Sequence, residues 1–230
     1  HPVFTGHPVL ESGADAGDAA RFHATHKLAP DAVPLVLMPG SRVTETKRLL
    51  PVFRDTLALL QPDLPGLVPV VAAASGIAEA VAAHMADWPV RPIIVRDVSE
   101  RYDAFAAARA ALTKSGTSTL ELAMAGVPMA VTYRVNPLSA MMARRLIKVP
   151  HVAMINLLAK RALVPELLQE DCAPARLAQT VRGLLTDEAE AAAQRAGFTA
   201  ALASLRAPGG TPSLAAARAI LGMVAASPDP

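Results

Sequence analysis

Short uninterrupted apolar runs alternate along this chain with longer stretches whose apolar residues recur every three or four positions. The runs are residues 35–38, 68–72, 92–95, 110–113 and 129–133. Largely apolar segments of that length, 35–38 without any break, suit strands buried on both faces, as in a parallel sheet. The stretches between them read as helices. In 45–60, Leu49, Leu50, Phe53, Leu57 and Leu60 share one helical face, and Pro62 and Pro65 stop the helix. An Ala-rich helix reaches Met85 after a turn at Ser75-Gly76. Another covers 97–108 with Ser99 as its cap. Helix 120–125 ends at Gly126, and a helix over 138–148 precedes a sixth apolar run at 152–158. Helices at 174–185, 188–205 and 213–226 close the chain, the last set off by Pro208-Gly209-Gly210.

The first thirty residues are less regular. Val3, Phe4 and Thr5 read as a short strand running into a turn at Gly6-His7-Pro8, and 12–30 as a polar connection with one short helix. This divides the chain into a junction strand and connection (1–30) leading from a further N-terminal domain, an α/β domain (31–207) and a C-terminal helix (208–230). Strands alternating with helices predict a doubly wound, Rossmann-like α/β fold with a parallel sheet and right-handed crossovers. Ligands of such sheets bind beyond the carboxyl ends of the strands. Gly40-Ser41-Arg42, the segment 115–121, Tyr133-Arg134-Val135-Asn136 and Asn156 all fall on those ends.

Composition narrows the function. The chain has 230 residues, 52% hydrophobic and 18% charged, enough for a packed core. Aromatics are 3% and the net charge is +2 with dispersed basic residues, so neither base stacking nor a polyanion footprint supports a nucleic-acid partner. The lone Cys172 excludes an internal disulfide and suits a reducing, cytoplasmic compartment. The six His and one Cys show no metal-ligand spacing. The most apolar segment, 64–78, is interrupted by Pro65, Gly66, Pro69 and Gly76, which argues against a membrane span.

The candidate chemistry centres on the stretch 111–121, above all Ser115-Gly116-Thr117-Ser118-Thr119-Leu120-Glu121. A strand passing through a small-residue turn into a helix aims backbone N–H groups at one spot, a suitable seat for phosphate. Glu121, one turn inside, either accepts from sugar hydroxyls or closes a capping box with Ser118. Arg42 either grips a phosphate or pairs with Glu45 in its own turn. Neither the Gly-x-Gly-x-x-Gly fingerprint nor the Gly-Lys-Ser/Thr phosphate loop is present.

Five motifs in order carry a specific resemblance: Gly6-His7-Pro8-Val9-Leu10, Met38-Pro39-Gly40-Ser41-Arg42 with Glu45, the 115–121 segment, Pro128-Met129 with Tyr133, and Asn156-Leu157-Leu158 followed by Pro165-Glu166-Leu167-Leu168-Gln169. Together they resemble the C-terminal part of the lipid-A-disaccharide synthases, bacterial glycosyltransferases of the two-domain GT-B fold. The resemblance implies a donor-binding half that holds the UDP of UDP-2,3-diacylglucosamine. Gly40, Ser41 and Arg42 would meet the diphosphate. Ser115, Gly116, Thr117, Ser118 and Thr119 would donate to it, Glu121 would take the ribose hydroxyls, and Asn156 and Gln169 would line the same cleft. The acceptor would be 2,3-diacylglucosamine 1-phosphate, the products a β-1,6-linked disaccharide and UDP, with no metal and no cofactor. The acceptor site and catalytic base are expected in an N-terminal domain outside this chain, and His7 reads better as a structural residue than as that base. The helix at 138–148, with Met141, Met142, Leu146 and Ile147 against Arg144, Arg145 and Lys148, suits either ordinary packing or peripheral contact with the inner membrane. The last helix allows packing on the other domain or exchange in a homodimer. Competing readings are another GT-B sugar-nucleotide enzyme (a UDP-N-acetylglucosamine transferase or 2-epimerase) and a non-catalytic nucleotide-binding module.

Overall fold

The computed structural model describes residues 2–136 and 149–226. The expected helix at 138–148 lies outside these. Six strands, β1 (Val33–Met38), β2 (Leu67–Ala72), β3 (Ile93–Val95), β4 (Ala110–Lys114), β5 (Met129–Tyr133) and β6 (Glu166–Leu168), form one sheet in the order β3-β2-β1-β4-β5-β6. Every pairing is parallel. After β3 at one edge the chain returns to the centre and lays β4 beside β1, so strand order reverses between these two, the place where such sheets open a crevice.

Alternation along the strands feeds two cores. Leu35, Leu37, Ala110 and Leu112 point to one face, where α2 (Val43–Leu60), α3 (Ala78–Ala83) and α7 (Pro174–Thr186) cover them. Val36, Val70, Ala111 and Val131 point to the other, under α1 (Ala19–His26), α4 (Val98–Ala107), α5 (Ser118–Met124), α6 (Met154–Ala159) and α8 (Glu188–Ala203). Period-two alternation between two apolar layers is why these strands read as unbroken apolar runs. The closing helix, α9 (Pro212–Ala226), keeps Ile220, Leu221 and Val224 exposed and is tied back by Glu11, which accepts from Ser213 N–H and Oγ–H at 2.9 and 2.7 Å.

Three expectations fail. Residues 3–5 form no strand: Val3 and Phe4 are exposed, and the segment docks through His7 N–H donating to the Leu205 carbonyl at 3.0 Å. His7 Nδ1 then accepts from Val9 N–H at 3.1 Å and caps the 3₁₀ turn Pro8–Glu11, a structural role. The apolar run at 152–158 is the helix α6, and the sixth strand is the three-residue β6, further on. A short run without polar punctuation is compatible with a buried strand or a buried helix, and only packing separates them. Finally, Asp97 rather than Ser99 caps α4, its Oδ1 accepting from the Ser99 and Glu100 amides at 2.8 and 3.4 Å.

Candidate functional site

β1 delivers Met38 into the turn Pro39-Gly40-Ser41. Gly40 has φ +110°, a conformation that favours glycine, and a Cβ there would also displace the Glu45 carboxylate, 2.5 Å away. Arg42 follows as the N-cap residue of α2 without a side-chain cap bond. Its side chain is 74% exposed, and the guanidinium donates to Glu45 Oε1 at 2.9 Å. Glu45 also receives Lys114 Nζ at 3.1 Å, and Lys114 lies over the Tyr133 ring at 5.4 Å. Burial raises the Glu45 carboxyl, but hydrogen bonds from Lys114 and Arg42 outweigh it and hold the group below the usual carboxylate range.

β4 ends in the second turn. Ser115 N–H continues the ladder to the Thr132 carbonyl at 3.1 Å, and Ser115 Oγ–H donates to the Val152 carbonyl at 2.8 Å. Among the described residues, the amides of Gly116, Thr117 and Ser118 have no acceptor. Ser118 Oγ sits 3.0 Å from Thr113 Oγ1. Thr119 is fully buried, and both its amide and its hydroxyl donate to the Gly116 carbonyl, at 3.1 and 2.9 Å. Thr119 thus shapes the turn, both of its donors being spent on the Gly116 carbonyl.

Glu121 does not turn back to Ser118. Its Oε1 accepts from Arg101 Nη2 at 3.2 Å and Tyr102 OH at 3.1 Å. The capping box is therefore absent, and the carboxylate faces a cavity of about 260 Å³ between the two turns. Met38, Gly40 and Ser41 form one wall, Lys114, Ser115, Gly116, Thr117 and Ser118 the opposite one, with Ala72 and Ala74 from the end of β2 and Arg101 from α4 between them. Glu45 Oε2 and Arg101 Nε, both buried, lack partners among the described residues. Arg42 is at the rim, outside the lining.

Asn156 is elsewhere in kind. It is 0% exposed, and Nδ2 donates to the Val164 carbonyl and to Glu166 Oε1 at 2.9 and 2.8 Å. Oδ1 accepts from the Leu163 and Val164 amides, both at 2.9 Å. The side chain welds α6 to the approach to β6, and its donors and acceptor are spent on the fold and not on the cavity. Gln169 stands just after β6 at φ +51° and accepts from Val135 N–H at 3.3 Å, at the edge of β5 rather than in the cavity. Sequence reasoning passed over Arg101, Tyr102 and Lys114. Lys114 was within the segment under suspicion, as the last residue of its strand, but nothing local couples Arg101 or Tyr102 to Glu121. Among the described residues, no three His, Cys, Asp or Glu side chains gather as metal ligands would, and no helix is long and apolar enough to cross a membrane.

The parallel sheet, its strand order and a polar cavity at its switch point define a Rossmann-like domain, the fold of each half of the GT-B glycosyltransferases. Solved structures share the fold. The spinosyn rhamnosyltransferase SpnG matches 87% of this chain and 48% of its own with a TM-score of 0.56 at 17% identity, and it has also been solved complexed with thymidine diphosphate. The C-terminal domain of the group 1 glycosyl transferase LpcC from Francisella tularensis matches 88% of this chain and 97% of its own, TM-score 0.53, at 12% identity. The chain belongs to the lipid-A-disaccharide synthetase family, whose model matches residues 1–208. It is 56% identical to the lipid-A-disaccharide synthase of Granulibacter bethesdensis over 95% of this chain and 58% of that protein. With the Gluconobacter oxydans enzyme the identity is 54% over 96% and 53%. The chain thus spans just over half the length of these curated relatives.

Proposed function

We propose that this chain is the donor-binding half of a lipid-A-disaccharide synthase. It holds the UDP of UDP-2,3-diacylglucosamine while the sugar passes to 2,3-diacylglucosamine 1-phosphate, giving a β-1,6-linked disaccharide and UDP. The observation that carries the reading is the meeting of the turns after β1 and β4 around one cavity, with unpartnered amides at 116–118 and a carboxylate held ready in Glu121. Family membership and the diphosphate complex of a structural neighbour point the same way.

In this reading the amides of Gly116, Thr117 and Ser118, with the backbone of Gly40 and Ser41, receive the diphosphate. Exposed Arg42 swings from Glu45 to the same group. Glu121, pre-set by Arg101 and Tyr102, accepts from the ribose hydroxyls. Cleaving the sugar–phosphate bond builds negative charge on the departing diphosphate, and donors already in place stabilise that charge more in the transition state than in the ground state. Residues 1–30 connect to a further domain carrying the acceptor site and the catalytic base, residues 31–207 bind the donor, and 208–230 form the closing helix. Closure of the two domains excludes water from the reacting centre. We propose further that, acting on acylated substrates, the protein sits at the cytoplasmic face of the inner membrane in peripheral contact, and that the apolar side of α9 packs on that other domain or on a second copy.

Calorimetric titration of the full protein with UDP and uridine, beside a transfer assay with the acylated donor and acceptor, tests the proposal. Glu121→Ala is expected to weaken both nucleoside ligands about tenfold, the loss of one or two hydrogen bonds to a charged group, with a melting point within a few degrees of wild type. Arg42→Ala is expected to weaken UDP more than uridine. Absence of UDP binding by the wild-type protein refutes the reading, and UDP binding without transfer favours a non-catalytic module.

A further inference from the structure

The charges around the cavity are unevenly distributed, and this assigns a direction to its ligand. At the α4–α5 end, Arg101 is matched by Glu121 at 3.2 Å, with the Tyr102 hydroxyl on the same oxygen. At the β1–β4 end two cations, Arg42 and Lys114, share one carboxylate oxygen, Glu45 Oε1, at 2.9 and 3.1 Å. Among the described residues, that end carries the surplus positive charge. Of its two cations only Lys114 lines the cavity, and its side chain is 19% exposed where that of Arg42 is 74% exposed. Lys114 is also held in place: its ammonium has Glu45 on one side and the Tyr133 ring at 5.4 Å, so part of the entropy a lysine loses on binding an anion is already spent in the fold.

We infer that Lys114 is the cation that meets the ligand's diphosphate from inside the cavity, with Glu45 and Tyr133 as the residues that position it. The nucleotide then lies with its ribose toward Glu121 and its phosphates toward Lys114 and the turn at Ser115. An ammonium has three N–H donors, and the one bond to Glu45 leaves two for phosphate oxygens. The partial burial of the site makes each of those bonds stronger than at an open surface. Glu45 does more than fix Lys114: its carboxylate lies between the two cations and offsets their repulsion, and a bound phosphate takes over part of that neutralising task. This rests on the donor-site reading above and adds to it a particular residue and an orientation.

The test uses the full protein and three probes: UDP, UMP and uridine. Lys114→Gln is expected to weaken UDP at least about tenfold and UMP less. Uridine should stay within about twofold, and the fall of UDP affinity with added salt should become shallower. Lys114→Arg is expected to restore most of the UDP affinity. If Lys114→Gln does not fold, the double variant Glu45→Gln/Lys114→Gln, which leaves no carboxylate stranded, is read in the same way. Equal losses for UDP and uridine overturn the inference, because they mark a residue that merely shapes the turn. UDP binding unchanged from wild type overturns the role of Lys114 while leaving the donor site intact. A wild-type protein that binds no UDP removes both.

Discussion

Asn156→Leu separates a structural amide from a ligand-binding one. The Asn156 side chain makes four hydrogen bonds of 2.8 to 2.9 Å, to the Val164 carbonyl, Glu166 Oε1 and the Leu163 and Val164 amides, and has no solvent exposure. Leucine has the same branching pattern but can serve none of these partners. Two backbone amides, a carbonyl and one carboxylate oxygen lose a bond in a place where water does not reach. Glu166 keeps the Val152 and Ala153 amides, at 2.9 and 3.0 Å, which softens its share. With each lost partner costing at least about 1 kcal/mol, the total comes to roughly 4 kcal/mol. For a chain of this size that lowers the melting midpoint by roughly 8–16 °C. Asn156→Asp keeps the two bonds accepted by Oδ1 but sets a second carboxylate against Glu166, and is expected to be nearly as damaging above about pH 5 and milder below it. Differential scanning calorimetry of the full protein, with UDP titration at a temperature where each variant is folded, gives both readouts. A variant with an unchanged melting point and abolished UDP binding would refute the structural assignment and return Asn156 to the ligand.

Further expectations follow from the same geometry. Asp103 is 5% exposed; its bonds from Arg21 pull its carboxyl below the ordinary 3.8 against the opposing effect of burial, and the Asp18 amide adds to them. A depressed folded value stabilises the protein above the unfolded one and is lost as pH falls through the folded one, so Asp103→Asn should flatten the decline of the urea midpoint between about pH 5 and pH 3; an unchanged decline counts against it. Gly40→Ala meets both a φ of +110° and the Glu45 carboxylate, and is expected to cost at least about 1 kcal/mol together with UDP affinity, read by urea denaturation and titration. Cys172 is buried, and burial pushes its thiol up to about 11 against a smaller opposite pull from Arg134. It should resist thiol reagents at pH 8 until the protein unfolds, and rapid labelling of the native protein would show that the segment opens.

The sequence by itself determined the layered α/β architecture. Residues 35–38, 68–72, 110–113 and 129–133 are apolar but for the buried Thr113 and Thr132 because both faces of each strand are covered, and α2 advertises its buried stripe through Leu49, Leu50, Phe53 and Leu57. The turn at 115–118 and the Gly40 turn were legible as well, since small residues at the end of a strand are a local signal. The motif order also identified the family. What only the tertiary structure decided is which polar side chains face the cavity. Glu121 is a pocket residue and not a cap because Arg101 and Tyr102, from the preceding helix, outcompete its own first turn. Thr119 and Asn156, promising by position, spend their hydrogen bonds on the fold. Lys114 and Arg42 share Glu45 because β1 and β4, far apart along the chain, are neighbours in the sheet. Strand and helix preferences are set by neighbours in sequence, whereas the destination of a long polar side chain is set by whichever partner the fold brings within 3 Å or so of it.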